Sequence, residues 1–497
     1  MEKLKRVLLA MPIVKSEVRL KLVSTYYDTP ALGLHRGRLS FRVRKQGREF
    51  IQTVKAEDPT QADMLERKEW EDQIRSKWPV LDAPKTGKWL PDAVRDEELR
   101  PVFTTTVTRT VIAISLDPSA RIEAAIDQGE IRTTNSDAVA PISEIELELK
   151  KGDPRVIFDV ALQLLEAAPI RIETRSKAER GYRLLGTDGL MPQAVRVGPV
   201  ALDPAMSVEA ALERIGRRCL THLLGNEQAA LAGEPEGIHQ MRVAVRRLRS
   251  ALLALKRPLQ KKHYRLASEQ LRWLAHTLAP VRNLDVFAAS LVRPVTQTLS
   301  TGLDFERIID ARERRRRAAL DHAKQVILSK RYTESMLRLL RWFVAREWRD
   351  QQISEHAVVL LTPIADAAPD LIERHHRKAR KRSKRFEQLT ATQRHRLRIA
   401  LKHLHYIVEF LGSLFDRNRV RTFVKCLESL QDELGYANDV RVAYDLVDQI
   451  SEATNQDTRA IDRAGGIVLG WHERVLVDLN PKIRKHVRRF RRLDPFW

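Results

Sequence analysis

The sequence predicts an α+β protein of two domains, an antiparallel β domain followed by an all-α domain. Apolar and polar residues alternate over much of residues 18–186, which indicates strands. From Met206 onward the pattern changes to long amphipathic helices rich in Leu, Ala, Arg and Glu. The segment between them carries several Gly and Pro residues, which is typical of a linker. We therefore predict domains at residues 1–186 and 206–497, with a linker at 187–205.

The composition narrows the classes of partner. The 497 residues include 88 Lys and Arg against 65 Asp and Glu, a formal net charge of +23. This charge indicates a polyanionic partner, which is nucleic acid, an anionic membrane surface or polyphosphate. Two cysteines exclude a disulfide scaffold. No signal peptide and no apolar run of about 18 residues is recognised. We therefore expect a cytoplasmic protein that does not bind a membrane.

The first half reads as strands. Phe41 and Val43 alternate with Arg42 and Arg44. In a later segment, apolar residues at positions 145, 147 and 149 alternate with Glu144, Glu146 and Glu148. A period of two with turn residues between the runs predicts an antiparallel sheet or barrel. One helix, at residues 154–168, is predicted to interrupt the strands, because its apolar residues recur at helical spacing.

The charged residues of these strands form a cationic and an acidic set. Arg42 and Arg44 share one face of a strand, and Lys55 follows on the next strand. The acidic set comprises Glu144, Glu146, Glu148 and Asp127. If these faces line an interior, the cations bind phosphate and the carboxylates hold a hard divalent ion that stabilises a transferring phosphoryl group. The alternative is the solvated face of an antiparallel sheet.

Five segments of this half together resemble the CYTH, or triphosphate tunnel metalloenzyme, family. They are Tyr26–Pro30, Phe41–Arg44, Glu69–Glu71, Glu144–Lys150 and Ser176–Tyr182. The resemblance implies an eight-stranded antiparallel tunnel that hydrolyses triphosphate compounds with Mg²⁺ or Mn²⁺. It implies a triphosphate grip formed by Arg42, Arg44, Lys55, Arg109 and Lys177. It also implies metal ligation by Asp127, Glu144 and Glu146.

The sequence departs from this family at its start. The family begins with a strand carrying Glu-x-Glu-x-Lys, whereas here Glu17, Arg19 and Lys21 have that spacing with Arg in place of the second Glu. This segment runs directly into Tyr26, as the family's second strand does, and residues 1–9 are predicted to be the helix that precedes it. We therefore expect a tunnel that lacks its first strand, with an open edge and impaired hydrolysis.

The helical half contains an internal repeat with an offset of 156 residues. The segment His239–Arg249 resembles His395–His405, and Leu278–Asn283 resembles Leu434–Asp439. The same register over about forty residues predicts two related helical units around a pseudo-twofold axis.

Each repeat carries a row of basic residues at helical spacing. His239, Arg242, Arg246 and Arg249 make up the first row, and His395, Arg398, Lys402 and His405 make up the second. The spacing i, i+3, i+7, i+10 predicts one helix face for each row. Two facing rows would line a basic channel for linear polyphosphate, because Arg and Lys contact phosphate oxygens. The alternative is a solvated face, or pairing with acids of other helices.

These motifs resemble the CHAD domain over about residues 206–497. The resemblance implies a bundle of two pseudo-symmetric four-helix units that binds inorganic polyphosphate. The implied binding residues are His239, Arg242, Arg246, Arg249, His395, Arg398 and Lys402. His403 and His405 stand where the first repeat has Arg247 and Arg249. We therefore expect affinity to rise as the pH falls toward about 6, where histidine titrates.

Three functions stay open from the sequence. The leading hypothesis is a polyphosphate-binding protein with an inorganic triphosphatase domain that hydrolyses tripolyphosphate with Mg²⁺ or Mn²⁺. The first alternative is a non-catalytic polyphosphate adaptor associated with polyphosphate granules. The second is non-specific nucleic-acid binding, which ranks last because no groove-reading motif is present.

Overall fold

The computed structural model divides the chain into two compact units. It describes residues 1–11, 14–56, 68–91, 94, 97–117, 119–186, 192–259, 261–299, 305–350, 355–452 and 458–497. Unit 1 consists of Met1–Gln193 and Leu328–Glu347, and unit 2 of Ala194–Ile327 and Trp348–Trp497. Residues 328–347, which the sequence assigned to the helical domain, thus pack within unit 1. Residues 187–191 of the predicted linker lie outside the described residues.

Unit 1 is built on a seven-stranded antiparallel sheet, as predicted. Its strands are β1 (Val14–Asp28), β2 (Leu39–Gln46), β3 (Glu49–Ala56), β4 (Lys68–Ile74), β5 (Arg100–Asp117), β6 (Ala120–Thr133) and β7 (Val139–Lys151). They are ordered β4-β3-β2-β1-β5-β6-β7, so β4 and β7 are the outer strands. Long strands β1, β5, β6 and β7 pair over most of their length and fix the register of the charged side chains.

Helices cover parts of both faces of this sheet. They are α1 (Glu2–Leu9), α2 (Gly33–Arg36), α3 (Arg155–Ala167), α4 (Lys177–Leu184) and, later in the chain, α11 (Lys330–Val344), with a 3₁₀ turn at Gly87–Trp89. Helix α3 confirms the predicted helix at residues 154–168. The expectation of a single interrupting helix is wrong, because α4 also forms here. Its sequence signal is the capping box that Ser176 and Glu179 make around the first turn.

The two faces of the sheet differ in chemistry. On one face of β5 and β6, Ile112, Ile122 and their neighbours pack against Leu8 of α1 and Leu164 of α3. The opposite face carries polar residues along much of its length. At one end of that face, Tyr182 of α4 and other apolar side chains form a separate small core. Burying one face under helices leaves the other for charged side chains.

Unit 2 is helical. Its helices are α5 (Val208–Gly225), α6 (Glu227–Ala232), α7 (Pro235–Ala254), α8 (Lys261–Val286), α9 (Arg293–Thr298), α10 (Glu306–Ile327), α12 (Glu355–Val358), α13 (Ile364–Arg382), α14 (Ala391–Leu411), α15 (Arg417–Glu452) and α16 (Thr458–Arg492). A π-helical segment at Phe287–Val292 joins α8 to α9, and short 3₁₀ turns lie at Glu347–Asp350, Val359–Leu361, Phe386–Gln388 and Gly412–Leu414. Within the described residues, every helix is too short or too polar to cross a bilayer.

Backbone hydrogen bonds relate the two repeats of unit 2 by a local twofold axis. The N–H of Val208 donates to the carbonyl of Thr362 at 2.9 Å, and that of Ile364 donates to the carbonyl of Met206 at 2.7 Å. The two donor residues are 156 positions apart, and so are the two acceptor residues. This distance equals the offset of the sequence repeat. Reciprocal contacts of this kind are the signature of a twofold interface. Helices α7 and α14, which carry the two basic rows, also pack together.

Candidate functional site

The strand register of unit 1 places the predicted charged residues on one face of the sheet. Lys55 of β3 lies opposite Ser40, two residues from Arg42 on β2. Arg44 lies opposite Ser24, and Ser24 lies opposite Thr105 of β5. Farther along β5, Arg109 lies opposite Asp127, which lies opposite Glu144 of β7. Residues directly opposite each other share a face. We call this surface the charged face; it carries Arg42, Arg44, Lys55, Arg109, Asp127, Glu144, Glu146 and Glu148.

Three carboxylates converge at one end of the charged face. One oxygen from each of Asp127, Glu144 and Glu146 lies within 4.8 Å of the others. Asp127 is fully buried, whereas the Glu146 side chain is half exposed. Three carboxylates at this separation provide the hard oxygen donors that Mg²⁺ and Mn²⁺ prefer. This carboxylate cluster therefore fits a divalent cation by donor type and spacing.

Three cations neutralise the carboxylate cluster. Arg109 binds Asp127 through two parallel hydrogen bonds of 2.7 Å and reaches Glu146 at 2.6 Å. The Nζ of Lys177 lies 2.8 Å from Asp127 and 2.7 Å from Glu146, and it also pairs with Glu144. Arg180 of α4 donates to Glu144. Although burial by itself raises the pKa of Glu146, Lys177 and Arg109 outweigh it and lower the pKa to about 2.

A second charged group lies toward the other edge of the charged face. Arg42 is only 8% exposed and donates to Glu69 at 3.3 Å, and Lys55 pairs with the same carboxylate at 2.6 Å. Arg44 differs from both, because within the described residues its guanidinium forms no ion pair and its Nε is buried without a partner. Burial, then Arg42 and Arg109, lower the pKa of Arg44 to about 10. Arg44 thus stays charged at neutral pH and lies between the two groups.

Helix α4 is held on the charged face by a network that sequence reasoning did not identify. Asp28, fully buried at the end of β1, accepts backbone N–H bonds from Thr29, Leu34 and His35. It also accepts a 2.9 Å bond from the Tyr182 hydroxyl of α4. These contacts fix the helix that presents Lys177 and Arg180. The sequence contained one signal for these residues. The segments that resemble the CYTH family include Asp28, Glu69 and Arg180.

In unit 2, cations from three helices gather into one group. We call it the central cation cluster; it comprises Arg242 and Arg246 of α7, Arg282 of α8, and Arg398 and Lys402 of α14. Within the described part of the chain, none of these five side chains forms an ion pair. Two nitrogens of Arg242, and the Nε of Arg246 and of Arg398, are buried without a hydrogen-bond partner. Unsatisfied buried donors and like charges are costly, which marks a site arranged for an anion.

The carboxylate of Asp439 stands among these cations, and Asp285 and Glu236 also act on the pKa of Arg282. Asp439 of α15 acts on the pKa of Arg242, Arg282, Arg398 and Lys402. Burial raises the pKa of Asp439, although Arg398 opposes this. The neighbouring Asn438 accepts a 2.8 Å hydrogen bond from Nδ1 of His395. Arg282 and Asp439 were seen in the sequence only as part of the repeat.

Not all residues of the predicted rows join this group. Arg249 is exposed and lies near Arg272 rather than near Arg242. Arg249 follows Arg242 by seven residues, which is about 10.5 Å along the helix axis at 1.5 Å per residue, and this axial distance explains the separation. His239 adjoins Arg282 and Arg246, but burial and these cations lower its pKa to about 4, so it is uncharged at neutral pH.

The pKa values of His403 and His405 in the free protein do not support the expected rise in affinity toward pH 6. Burial, followed by nearby His375 and Arg249, lowers the pKa of His403 to about 4. Burial and then Arg247 lower the pKa of His405 to about 4 as well. Both imidazoles are therefore neutral throughout the range in which exposed histidines titrate.

Comparison with known proteins agrees with this two-part architecture. Residues 3–182 match the CYTH domain family, and residues 214–448 match the CHAD domain family. The chain is 32% identical over 166 residues to an inorganic triphosphatase of Haemophilus influenzae, which is 33% of this chain and 46% of that protein. The chain thus spans about half the length of the curated relative it matches.

Two solved structures resemble the chain over their nearly complete lengths. The crystal structure of the CHAD domain from the plant Ricinus communis is 29% identical, with a TM-score of 0.49, over 60% of this chain and 96% of that one. PptA from Streptomyces chartreusis is 15% identical, with a TM-score of 0.37, over 57% of this chain and 99% of that one. On the family matches alone, the chain carries a CYTH domain at residues 3–182 followed by a CHAD domain at residues 214–448.

Proposed function

We propose that unit 1 hydrolyses tripolyphosphate with a divalent metal ion and that unit 2 binds inorganic polyphosphate. The observation that carries the first part is the charged face, on which Arg109 contacts the carboxylate cluster and lies near Arg44. A site for a triphosphate and a cation needs this combination of donors and acceptors side by side. The similarity to a relative named inorganic triphosphatase supports the same reaction.

In this proposal the residues of the charged face have two roles, metal ligation and triphosphate binding. Asp127, Glu144 and Glu146 hold Mg²⁺ or Mn²⁺, which when bound neutralises phosphate charge and lowers the pKa of a water ligand. The triphosphate is gripped by Arg42, Arg44, Lys55, Arg109 and Lys177. Arg44 binds phosphate at the smallest cost, because among the described residues its guanidinium has no carboxylate partner to leave. Water attacks a terminal phosphorus, the bridging P–O bond breaks, and orthophosphate and diphosphate leave with one proton released.

Phosphate release from tripolyphosphate by the full chain tests this function. With Mg²⁺ or Mn²⁺, we expect Arg44→Gln and Glu146→Gln each to lower kcat/KM by about 100-fold. Glu130→Gln is the matched control, because Glu130 is an exposed carboxylate of β6 whose ion pair is with Arg132. Full activity of Glu146→Gln would overturn the assigned metal ligation, and full activity of Arg44→Gln would overturn the grip.

The proposal for unit 2 is carried by the central cation cluster, whose five charges form no ion pair with any described residue. A linear polyphosphate would supply the oxygen acceptors that the buried guanidinium nitrogens lack. The proposed contacts are His239, Arg242, Arg246, Arg249, His395, Arg398 and Lys402, with Arg282 added from the geometry. His239, being neutral, would donate a hydrogen bond rather than contribute charge.

Binding of long-chain polyphosphate at physiological salt tests this part. We expect Arg242→Gln/Arg398→Gln to abolish binding while tripolyphosphate hydrolysis persists. The double variant should also melt at a higher temperature, because it relieves repulsion between buried like charges, and this separates lost binding from misfolding. Duplex DNA competing as well as polyphosphate would favour a general polyanion binder instead.

A non-catalytic adaptor is the second candidate. It is favoured by the ion pairs that already satisfy each acid of the carboxylate cluster. In that case the wild-type chain would release no phosphate yet bind polyphosphate normally. We place the protein in the cytoplasm at polyphosphate granules, and its co-sedimentation with granules should then depend on Arg242 and Arg398.

A further inference from the structure

A second group of cations lies on the surface of unit 2, apart from the central cation cluster. We call it the outer basic surface; it comprises Arg249 of α7, Lys256 and Arg257 just after α7, Arg272 of α8, and Arg374, Lys378 and Arg382 of α13. Five of the seven are exposed, and Arg374 and Arg382 are half-buried. Three separate segments of the chain thus bring positive charge to one surface.

The outer basic surface has little acidic compensation. Within the described ranges, none of the seven side chains forms an ion pair. Arg374 and Arg382 donate to the backbone carbonyls of Ala254 and Arg396, and Lys256 lies 5.3 Å from the ring of Tyr264. Partial burial and then Arg382 and Lys256 lower the pKa of Lys378. By contrast, Arg377 on the same helix pairs with Glu373. Within the outer basic surface, Asp370 acts on the pKa of Arg374 without forming an ion pair with it.

This surface begins where the central cation cluster ends. Arg246 belongs to the cluster, and Arg249 follows it one turn later on α7. On α14, Lys402 belongs to the cluster, and the next residue, His403, adjoins Arg249 and Lys378. A 2.7 Å hydrogen bond between Ser250 and His403 ties the two helices together at this junction. Positive charge therefore continues from the half-buried cluster onto the exposed surface.

We propose that the outer basic surface continues the central cation cluster into one track for a long polyphosphate chain, so that affinity depends on chain length. The inference rests on the proposed polyphosphate binding of unit 2. A thin, unbranched polyanion can lie in a half-buried site and extend onto the adjoining surface, whereas the phosphates of a duplex are held on a wide rigid cylinder. Tripolyphosphate is too short to occupy both parts.

The test compares ligands of different length on the full chain. The variant is Arg257→Gln/Arg272→Gln/Lys378→Gln, and the matched control is Arg484→Gln/Lys485→Gln/Arg488→Gln, which removes the same charge from α16. Each protein is titrated with long-chain polyphosphate and with tripolyphosphate, over a range of salt concentrations. The part of tripolyphosphate binding that Arg242→Gln/Arg398→Gln removes is taken as binding to unit 2.

We expect the outer variant to weaken long-chain binding by about tenfold or more and to flatten its salt dependence, because fewer counterions are released. Its tripolyphosphate binding to unit 2 should equal that of the wild type. An outer variant no weaker than the control would overturn the track, and so would equal losses for both ligands. Loss of duplex DNA binding that exceeds loss of polyphosphate binding would reassign the surface to nucleic acid. Absence of long-chain binding by the wild type would instead refute the function proposed for unit 2.

Discussion

The Nζ of Lys177 lies 2.8 Å from Oδ2 of Asp127, at the centre of the carboxylate cluster. The same ammonium group pairs with Glu144 and Glu146, so one side chain neutralises all three acids. Burial alone lowers the pKa of Lys177, but Glu146 and Asp127 outweigh it and raise the pKa above its ordinary value. Lys177 thus acts as an internal cation at the place where the donor set suits a divalent ion.

The first prediction is that Lys177→Gln strengthens divalent-cation binding. The ammonium group and the metal compete for the same oxygens, so its removal should lower the Kd for Mn²⁺ several-fold. Titration of the full chain with Mn²⁺, followed by electron paramagnetic resonance of the free ion, measures this without turnover. Lys150→Gln is the control, because Lys150 pairs with the exposed Glu148 on the same strand. Unchanged or weaker Mn²⁺ binding in Lys177→Gln would show that Lys177 does not compete.

The sequence predicted the sheet and its charged face because strand periodicity is a local property. Apolar and charged residues alternate in Phe41–Arg44 and Glu144–Lys150 because only one face of each strand is packed against apolar residues. The observed register agrees with this alternation. Helix α4 was missed, although the capping box of Ser176 and Glu179 was a local signal for it.

The burial of individual side chains and the identity of their ion-pair partners could not be predicted from local patterns. The neutral state of His403 depends on packing between α14 and residues of α7 and α13, far away in sequence. Arg242 and Arg249 lie on nearly the same face of α7, but about 10.5 Å of helical rise separates them, and a rule that considers only the helix face does not show this distance. Strand pairing across β2, β3 and β4 brings Arg42 beside Glu69 and, as far as the described ranges extend, leaves Arg44 without an ion-pair partner.

The second prediction concerns Gly181, which lets α4 lie close to the sheet. A Cβ atom at this position would fall 2.2 Å from Cε2 of Phe103, far inside contact distance. We expect Gly181→Ala to lower the free energy of unfolding by about 1–3 kcal/mol and to reduce tripolyphosphate hydrolysis, because Lys177 and Arg180 shift with the helix. Urea unfolding and phosphate release measure the two effects.

A second substitution separates this steric effect from helix propensity. Gly470→Ala in α16 meets open space and should be neutral or slightly stabilising. Phe103→Leu should restore part of the activity that Gly181→Ala loses, because it makes room for the methyl group. If the double variant is no more active than Gly181→Ala, crowding against Phe103 is not the cause of the loss.

The third prediction concerns Asp439, which occupies in the second repeat the position of Asn283 in the first. Its carboxylate offsets the charge of Arg398 and Lys402, so it competes with a bound phosphate. We expect Asp439→Asn to raise polyphosphate affinity several-fold and to lower the melting temperature, because repulsion among the cations is then less compensated. Binding should be measured below pH 7, where Lys402 remains charged. Asp432→Asn, an exposed acid of the same helix, is the control, and equal effects of both substitutions would argue for net charge alone.

The fourth prediction is that polyphosphate binding takes up a proton at Lys402. Burial, then Arg246 and Arg398, lower the pKa of Lys402 to about 7, while Asp439 on α15 partly offsets this and Arg242 adds to the lowering. A bound polyanion favours the charged ammonium and raises that pKa. Below pH 7 the amine of Lys402 is already protonated in the free protein, so polyphosphate affinity has its highest value. Above pH 7 each binding event must first add the proton, so affinity should fall by up to about tenfold per pH unit.

Calorimetry in buffers of different ionisation enthalpy measures this proton uptake directly. Wild type should take up close to one proton per site above pH 7 and almost none well below it. Lys402→Arg is the matched variant, because arginine keeps its charge throughout this range and so its affinity should not change with pH. His403→Gln should leave the uptake intact, since that imidazole, with a pKa of about 4, is neutral on both sides of the transition. Proton uptake that persists in Lys402→Arg would assign the titration to another group and refute the role of Lys402.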